Sequence, residues 1–246
     1  MSPKLLNDEG TLVPVVKKFG FSNIRVGKLE ESEYTLVTII IDVTGSVSDF
    51  ARLLEDLLEE VVKACKKHPR SEKMLIRILF FNEAVMEIHD FAPLSAIDPS
   101  MYKGKIAPAG YTALFDATDN GIEKTLMMSK SLIAQDYDVN GAVYIITDGA
   151  DNNSRYASCK SIKEKISNSK KSEVIESLFT ALIGVNAIQC KKYLESFKND
   201  AELTQYIDAG DATANNIAKI AGWISKSVSS VSSVVGSGGP SQPLNF

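Results

Sequence analysis

Two histidines and three cysteines are all that this 246-residue sequence offers as imidazole and thiolate ligands. His68 and His89 are far apart in sequence, and Cys65, Cys159 and Cys190 form no CxxC pair, so a zinc site is not expected. The odd cysteine count leaves at least one thiol unpaired within the chain. No stretch approaches the roughly 18 apolar residues of a membrane span. The amino-terminal MSPKLLNDEG has no apolar signal-peptide core, so the expectation is a cytoplasmic protein with no membrane partner. Basic residues are not in excess: 27 Lys and Arg face 31 Asp and Glu, a net charge of −4. That balance provides no field for neutralising phosphates and argues against nucleic acid as a partner. The clusters Lys63 to Arg70 and Lys160 to Lys171 read as solvated helix faces. The patterns GxGxxG, GxxxxGK[ST] and GxSxG are missing too, and with them the usual dinucleotide, P-loop and nucleophile-elbow signatures.

What is present is enough apolar material, 44% of the residues, for one sizeable core. Apolar strands and amphipathic helices alternate along it. After Ser46, the residues Phe50, Leu53, Leu54, Leu57, Leu58, Val61, Val62 and Cys65 recur at helical spacing until Pro69. Met74 to Phe81 and Val85 to Phe91 read as strands joined by a tight hairpin at Asn82-Glu83. Residues 92–112, with three prolines and two glycines, read as irregular chain with a short turn near 98–103. A helix from Ala113 to Ser131, a strand at 142–147, a helix at 157–171 and a strand at 174–183 follow. A helix at 187–199, a short strand at 203–208 and a helix from about 212 complete the series. This rhythm predicts an α/β fold with a doubly wound, mostly parallel six-stranded sheet and one antiparallel edge strand. Helical spacing continues through the serine-rich ISKSVSSVSSVV to Val235. The expected division is an extension at 1–33, a domain at 34–226 and a Ser/Gly/Pro-rich tail at 227–246. The extension holds the apolar patch Leu12 to Val16 and the alternating Phe19, Phe21, Ile24 and Val26, which suit an extra strand or strap.

The most telling run is TIIIDVTGS, Thr38 to Ser46. It brings Asp42, Thr44 and Ser46 to one face of an extended segment at the carboxyl end of a strand. One carboxylate and two hydroxyls suit a hard cation. A plainer role also fits, because Ser46 and Asp49 have the spacing of a helix-capping box. Two later segments favour the cation. Gly110 to Ala117 sets Thr112 at a loop-to-helix junction, and the run Ala142 to Ile146 ends in Thr147-Asp148-Gly149. In an open parallel sheet such strand ends share one edge, where ligands bind. Asp116 reads as an acid that orients loop backbone. Asp151 does not fit a calcium-loop pattern and reads as a loop residue or a support for the site.

With D-x-[ST]-x-S, a distant threonine and a distant aspartate in this order, the chain resembles the von Willebrand factor A domain family over about residues 34–225. The resemblance implies a metal-ion-dependent adhesion site (MIDAS) built from Asp42, Thr44, Ser46, Thr112 and Asp148, with Thr44 where serine is commoner. It further implies Mg²⁺ or Mn²⁺ as the ion and a protein partner whose Asp or Glu completes the coordination. A weaker likeness is to stand-alone bacterial or phage proteins of the tellurite-resistance type. No enzyme is expected, since a DxDxT aspartyl nucleophile motif would need an acid at Thr44 and neither histidine falls in the three motifs. The alternatives are a metal-independent scaffold and, behind it, a magnesium-dependent hydrolase or phosphotransferase.

Overall fold

Strand β1, Glu33–Asp42, is buried from Tyr34 to Asp42 because it runs through the middle of the sheet. A computed structural model describes residues 32–172, 174–233 and 245–246. The other strands are β2 (Met74–Phe81), β3 (Val85–Pro93), β4 (Asp138–Thr147), β5 (Ser177–Gly184) and β6 (Gln205–Asp208), in the order β3-β2-β1-β4-β5-β6. All neighbours are parallel except β2 and β3, the expected hairpin, which makes β3 the antiparallel edge. The helices are α1 (Ala51–Lys66), α2 (Leu114–Ile133), α3 (Cys159–Lys171), α4 (Lys191–Asp200) and α5 (Ala214–Ser233).

Side chains on a strand alternate between faces, so β1 feeds two cores. Val37, Ile39 and Ile41 pack with Leu57, Leu58, Ile220 and Ile224 beneath α1 and α5. Ile40 packs with Leu114, Ala117, Ile122 and Ile145 on the other face, which α2, α3 and α4 cover. Each such aliphatic side chain contributes about 1.5 to 3 kcal/mol when fully buried. Close approach of α2 to β1 depends on Gly121, where a Cβ would lie 2.4 Å from Ile40 Cδ1. The apolar reading of β2 hid one charge. Arg77 is fully buried, with Nε donating to Glu87 at 2.7 Å and Nη2 to Asn120 at 3.1 Å.

Several boundaries differ from the sequence expectation. The α-helix expected directly after Ser46 begins later: Gly45–Phe50 forms a 3-10 helix and α1 starts at Ala51. The apolar pattern covers both segments because Val47 and Phe50 are buried, but the backbone of Phe50 (φ −130, ψ 18) interrupts the helical path. Strand β4 begins four residues ahead of 142, because Asp138 to Gly141 pair with Glu33 to Leu36. Helix α5 carries the helical spacing of the serine-rich run to Ser233, with Val228 and Val231 in the core. Both the strap expected from Leu12 to Val26 of the 1–33 extension and the continuation to Val235 lie outside the described residues.

The connection from β3 to α2 is irregular but pinned. Its two short 3-10 turns are Leu94–Ala96 and Pro99–Tyr102. Beyond them, the Glu55 carboxylate of α1 accepts from the backbone N–H of Gly104 and Ile106, each at 2.9 Å. Ala109 N–H donates to the Val43 carbonyl at 3.0 Å, and Asn82 Nδ2 donates to the Ala109 carbonyl at 3.0 Å. The crossover that leaves β1 uses α1 on one face, while the crossover that enters β4 uses α2 on the other. The carboxyl ends of β1 and β4 are therefore the switch point of the sheet, where a crevice opens.

Candidate metal centre

Asp42 is the last residue of β1 and only 1% exposed. Its Oδ1 accepts from Thr44 N–H at 2.9 Å, and its Oδ2 accepts from the Thr147 hydroxyl at 2.6 Å. Thr44 Oγ1 lies 3.0 Å from Ser46 Oγ, and Ser46 Oγ donates to Asp148 Oδ1 at 2.9 Å. The capping box is not made, since Ser46 turns to Asp148 and Thr44, which precedes the 3-10 turn, forms no side-chain cap. Four of the five expected site residues are thus joined by direct or backbone hydrogen bonds across the β1 and β4 ends.

Thr112 arrives by a different route. Its N–H donates to Asn152 Oδ1 at 2.8 Å, and its carbonyl accepts from Asn152 N–H at 2.9 Å and Asn153 N–H at 3.0 Å. The preceding turn reaches the β1 loop, where Gly45 N–H donates to the Gly110 carbonyl at 3.4 Å. Gly110 has φ +78, and a Cβ there would lie 3.0 Å from Glu83 Oε1, so glycine suits both the conformation and the space. The Thr112 hydroxyl has no hydrogen-bond partner among the described residues, yet it is not sealed from solvent.

Burial pushes the Asp42 carboxyl up to about 6, against the hydrogen bonds from Thr147 and Thr44 and with help from the nearby Asp148 charge. Burial also raises Asp148, opposed by its hydrogen bond from Ser46. Two acids disfavoured as anions, beside several hydroxyls, form a site whose charge a cation would balance. The spacing suits a small ion as well. Adjacent ligands of an octahedron with 2.0 to 2.1 Å bonds lie about 2.8 to 3.0 Å apart, a range that the hydrogen-bonded Thr44–Ser46 and Ser46–Asp148 oxygens, at 3.0 and 2.9 Å, also meet. Among the described residues, no three His, Cys, Asp or Glu side chains gather as a metal cluster. The donors joined here, two carboxylates and two hydroxyls, are hard oxygens whose chemistry suits Mg²⁺ or Mn²⁺ and not an ion that prefers thiolate or imidazole ligands.

Asp116, at the start of α2, accepts from the N–H groups of Arg155, Tyr156 and Ala157 at 2.9, 3.0 and 2.7 Å. Asp151 receives Phe115 N–H at 3.3 Å and the Ser154 hydroxyl at 2.5 Å, so the α2 start and the 151–157 loop clamp each other. Sequence reasoning gave no site role to Thr147, Asn152, Glu55 or Asn82. Thr147 reads as the polar end of an apolar run, and Glu55 falls within the helical pattern without being singled out. Only Asn152, beside the Thr147-Asp148-Gly149 turn, carried a local signal.

No protein-family model and no curated protein sequence matches the chain. Solved structures do. The PilB minor pilin from Streptococcus sanguinis superposes with a TM-score of 0.55 at 14% identity, over 80% of this chain and 61% of that one. The vWF domain of the type V pili tip protein Mfa5 from Porphyromonas gingivalis gives 0.53 at 13% identity, over 81% and 96%. The pilus adhesin SpaC from Lactobacillus rhamnosus GG, in its open conformation, gives 0.53 at 10% identity, over 81% and 30%. The chain thus spans about three-fifths of PilB and under a third of SpaC. These likenesses define the class of fold, a Rossmann-like α/β sheet of the von Willebrand factor A type.

Proposed function

We propose that this chain is a protein-interaction module that binds an acidic side chain of its partner through Mg²⁺ or Mn²⁺. Asp42, Thr44, Ser46, Thr112 and Asp148 would hold the ion. When bound, the cation supplies a positive centre for an anionic oxygen, and a partner Asp or Glu is the group that fits it. The observation that carries this reading is the gathering of two acids and two hydroxyls, Asp42, Thr44, Ser46 and Asp148, at the β1 and β4 ends with Asp42 buried.

Asp42 and Asp148 provide the anionic charge, and Thr44 and Ser46 hold their hydroxyls in line with Asp148. Thr112 contributes an uncommitted hydroxyl from a separate loop. The likeness to pilins and a pilus adhesin supports binding over catalysis. His68 Nδ1 accepts from Arg70 N–H, and His89 Nε2 bonds the Tyr102 hydroxyl at 2.9 Å, so these contacts of the two histidines are not with the five proposed ligands. A cytoplasmic setting and a bacterial or phage stress-response system of the tellurite-resistance type belong to the same proposal.

Calorimetric titration with Mg²⁺ and Mn²⁺ tests the ion, and a pulldown with and without chelator tests the partner. Saturable metal uptake at one site, with capture lost in chelator, is expected. Capture that is indifferent to chelator would favour the metal-independent scaffold.

A further inference from the structure

Thr147 lies outside the ligand set, but its contact with Asp42 gives it a role there. The terminal torsion of an aspartate is broad and roughly two-fold, so a carboxylate aims its lone pairs only when donors fix its plane. Water cannot do this freely for Asp42, which is 1% exposed. Two donors do it instead, Thr44 N–H on Oδ1 and the Thr147 hydroxyl on Oδ2. Each carboxylate oxygen has about two acceptor sites, so each keeps roughly one for a further partner. Thr147 Oγ1 is itself steadied by Gly149 N–H at 3.2 Å, on the far side of Asp148 in the same turn.

We infer that Thr147 is a positioning residue of the metal centre. The turn that presents Asp148 also sets, through the Thr147 hydroxyl, the rotation of Asp42 on the neighbouring strand. One end of β4 would then organise both acids. This inference rests on the metal-site reading, and the experiment separates the two.

The full chain is titrated with Mg²⁺ alone by calorimetry, as wild type, Thr147→Val, Thr147→Ser and Thr38→Val, with thermal melting in chelator alongside. Loss of a hydrogen-bonded support to a metal ligand typically weakens metal affinity about 10- to 100-fold, and that loss is expected for Thr147→Val. Thr147→Ser keeps the donor and should restore affinity close to wild type. Thr38→Val is the control for a lost buried hydroxyl. The Thr38 and Thr125 hydroxyls are 2.8 Å apart in the core, so this variant should melt lower with unchanged affinity. Should Thr147→Val not fold in chelator, Thr147→Ala takes its place in the titration. Wild-type affinity in the Val or Ala variant, or no rescue by Ser, overturns the positioning role while leaving the metal reading intact. A wild-type chain that takes up no Mg²⁺ overturns both.

Discussion

Asp42 and Asp116 stand at the same edge of the sheet but are solvated by the fold in different ways. Asp116 is satisfied by three backbone N–H groups of the 155–157 turn. Asp42 is more deeply buried and has one backbone donor and one hydroxyl. Burial leaves it raised to about 6. A carboxylate with several backbone donors has its acceptor sites filled by the folded chain itself. One with few donors and little water carries a cost that a cation would remove. The first arrangement suits an acid that builds a loop, and the second suits an acid that waits for a ligand.

The largest expected effect tests that division directly. Asp42→Ala should abolish Mg²⁺ binding in calorimetry while far-UV circular dichroism and melting in chelator stay at wild-type level or above. An unfolded variant would make Asp42 a structural acid like Asp116.

The second effect is the pH dependence of the metal-free protein. The folded value for Asp42, about 6, exceeds the ordinary 3.8. Between those values the folded state binds more protons than the unfolded chain, so stability falls as pH rises through the window. The cost is absent below 3.8, grows up to about 6 and is complete above it, at about 3 kcal/mol. In chelator, Asp42→Asn should therefore melt higher than wild type near neutral pH and lose that advantage as pH falls toward about 4. An advantage that does not vary with pH would mean that the Asp42 charge carries no such cost.

Asp116→Ala should behave in the opposite way. It frees three N–H groups, of which those of Arg155 and Tyr156 reach solvent. The expected loss is about 2 kcal/mol, or roughly 4 to 8 °C in melting for a domain of this size. The loss should be the same with and without chelator. Unchanged melting together with lost Mg²⁺ binding would reverse the assignments of the two acids.

The contrast also shows what the sequence could reveal. The mostly parallel, doubly wound sheet followed from the alternation of apolar strands and amphipathic helices, and its antiparallel edge from the β2–β3 hairpin, whereas the strand order came only with the structure. Asp42, Thr44 and Ser46 were legible because a period of two places them on one face of a strand end. Thr147 and Glu55 were not legible. Their roles depend on partners 105 and about 50 residues away, Asp42 for one and the amides of Gly104 and Ile106 for the other. Arg77 was hidden for the same reason, because an arginine in MLIRILFF finds its partners on β3 and α2 only once the sheet has formed. Local pattern reports which face a residue takes, while hydrogen bonding across elements depends on the packed fold.

The smallest expected effect concerns the loop that delivers Thr112. Its proline and glycine content suggests a segment free to move between Ala92 and Thr112, but the structure pins most of it. Glu55 holds the amides of Gly104 and Ile106, Val43 holds that of Ala109, and the Asn82 carbonyl holds that of Ala113. The amides of Gly110 and Tyr111, between the Ala109 anchor and the Asn152 grip on Thr112, have no hydrogen-bond partner among the described residues. Hydrogen exchange over 104–115 should therefore show protected amides at Gly104, Ile106, Ala109 and Ala113 before any ligand is added. Mg²⁺ with an acidic peptide should slow exchange only at Gly110 and Tyr111, and Mg²⁺ alone should slow it less. Slowing that spreads back to Gly104 would mean that Glu55 releases the loop in the free protein. The Thr112 arm would then be a two-state element whose populations the ligand shifts, and the division between a fixed acid site and a short adjustable arm would fail.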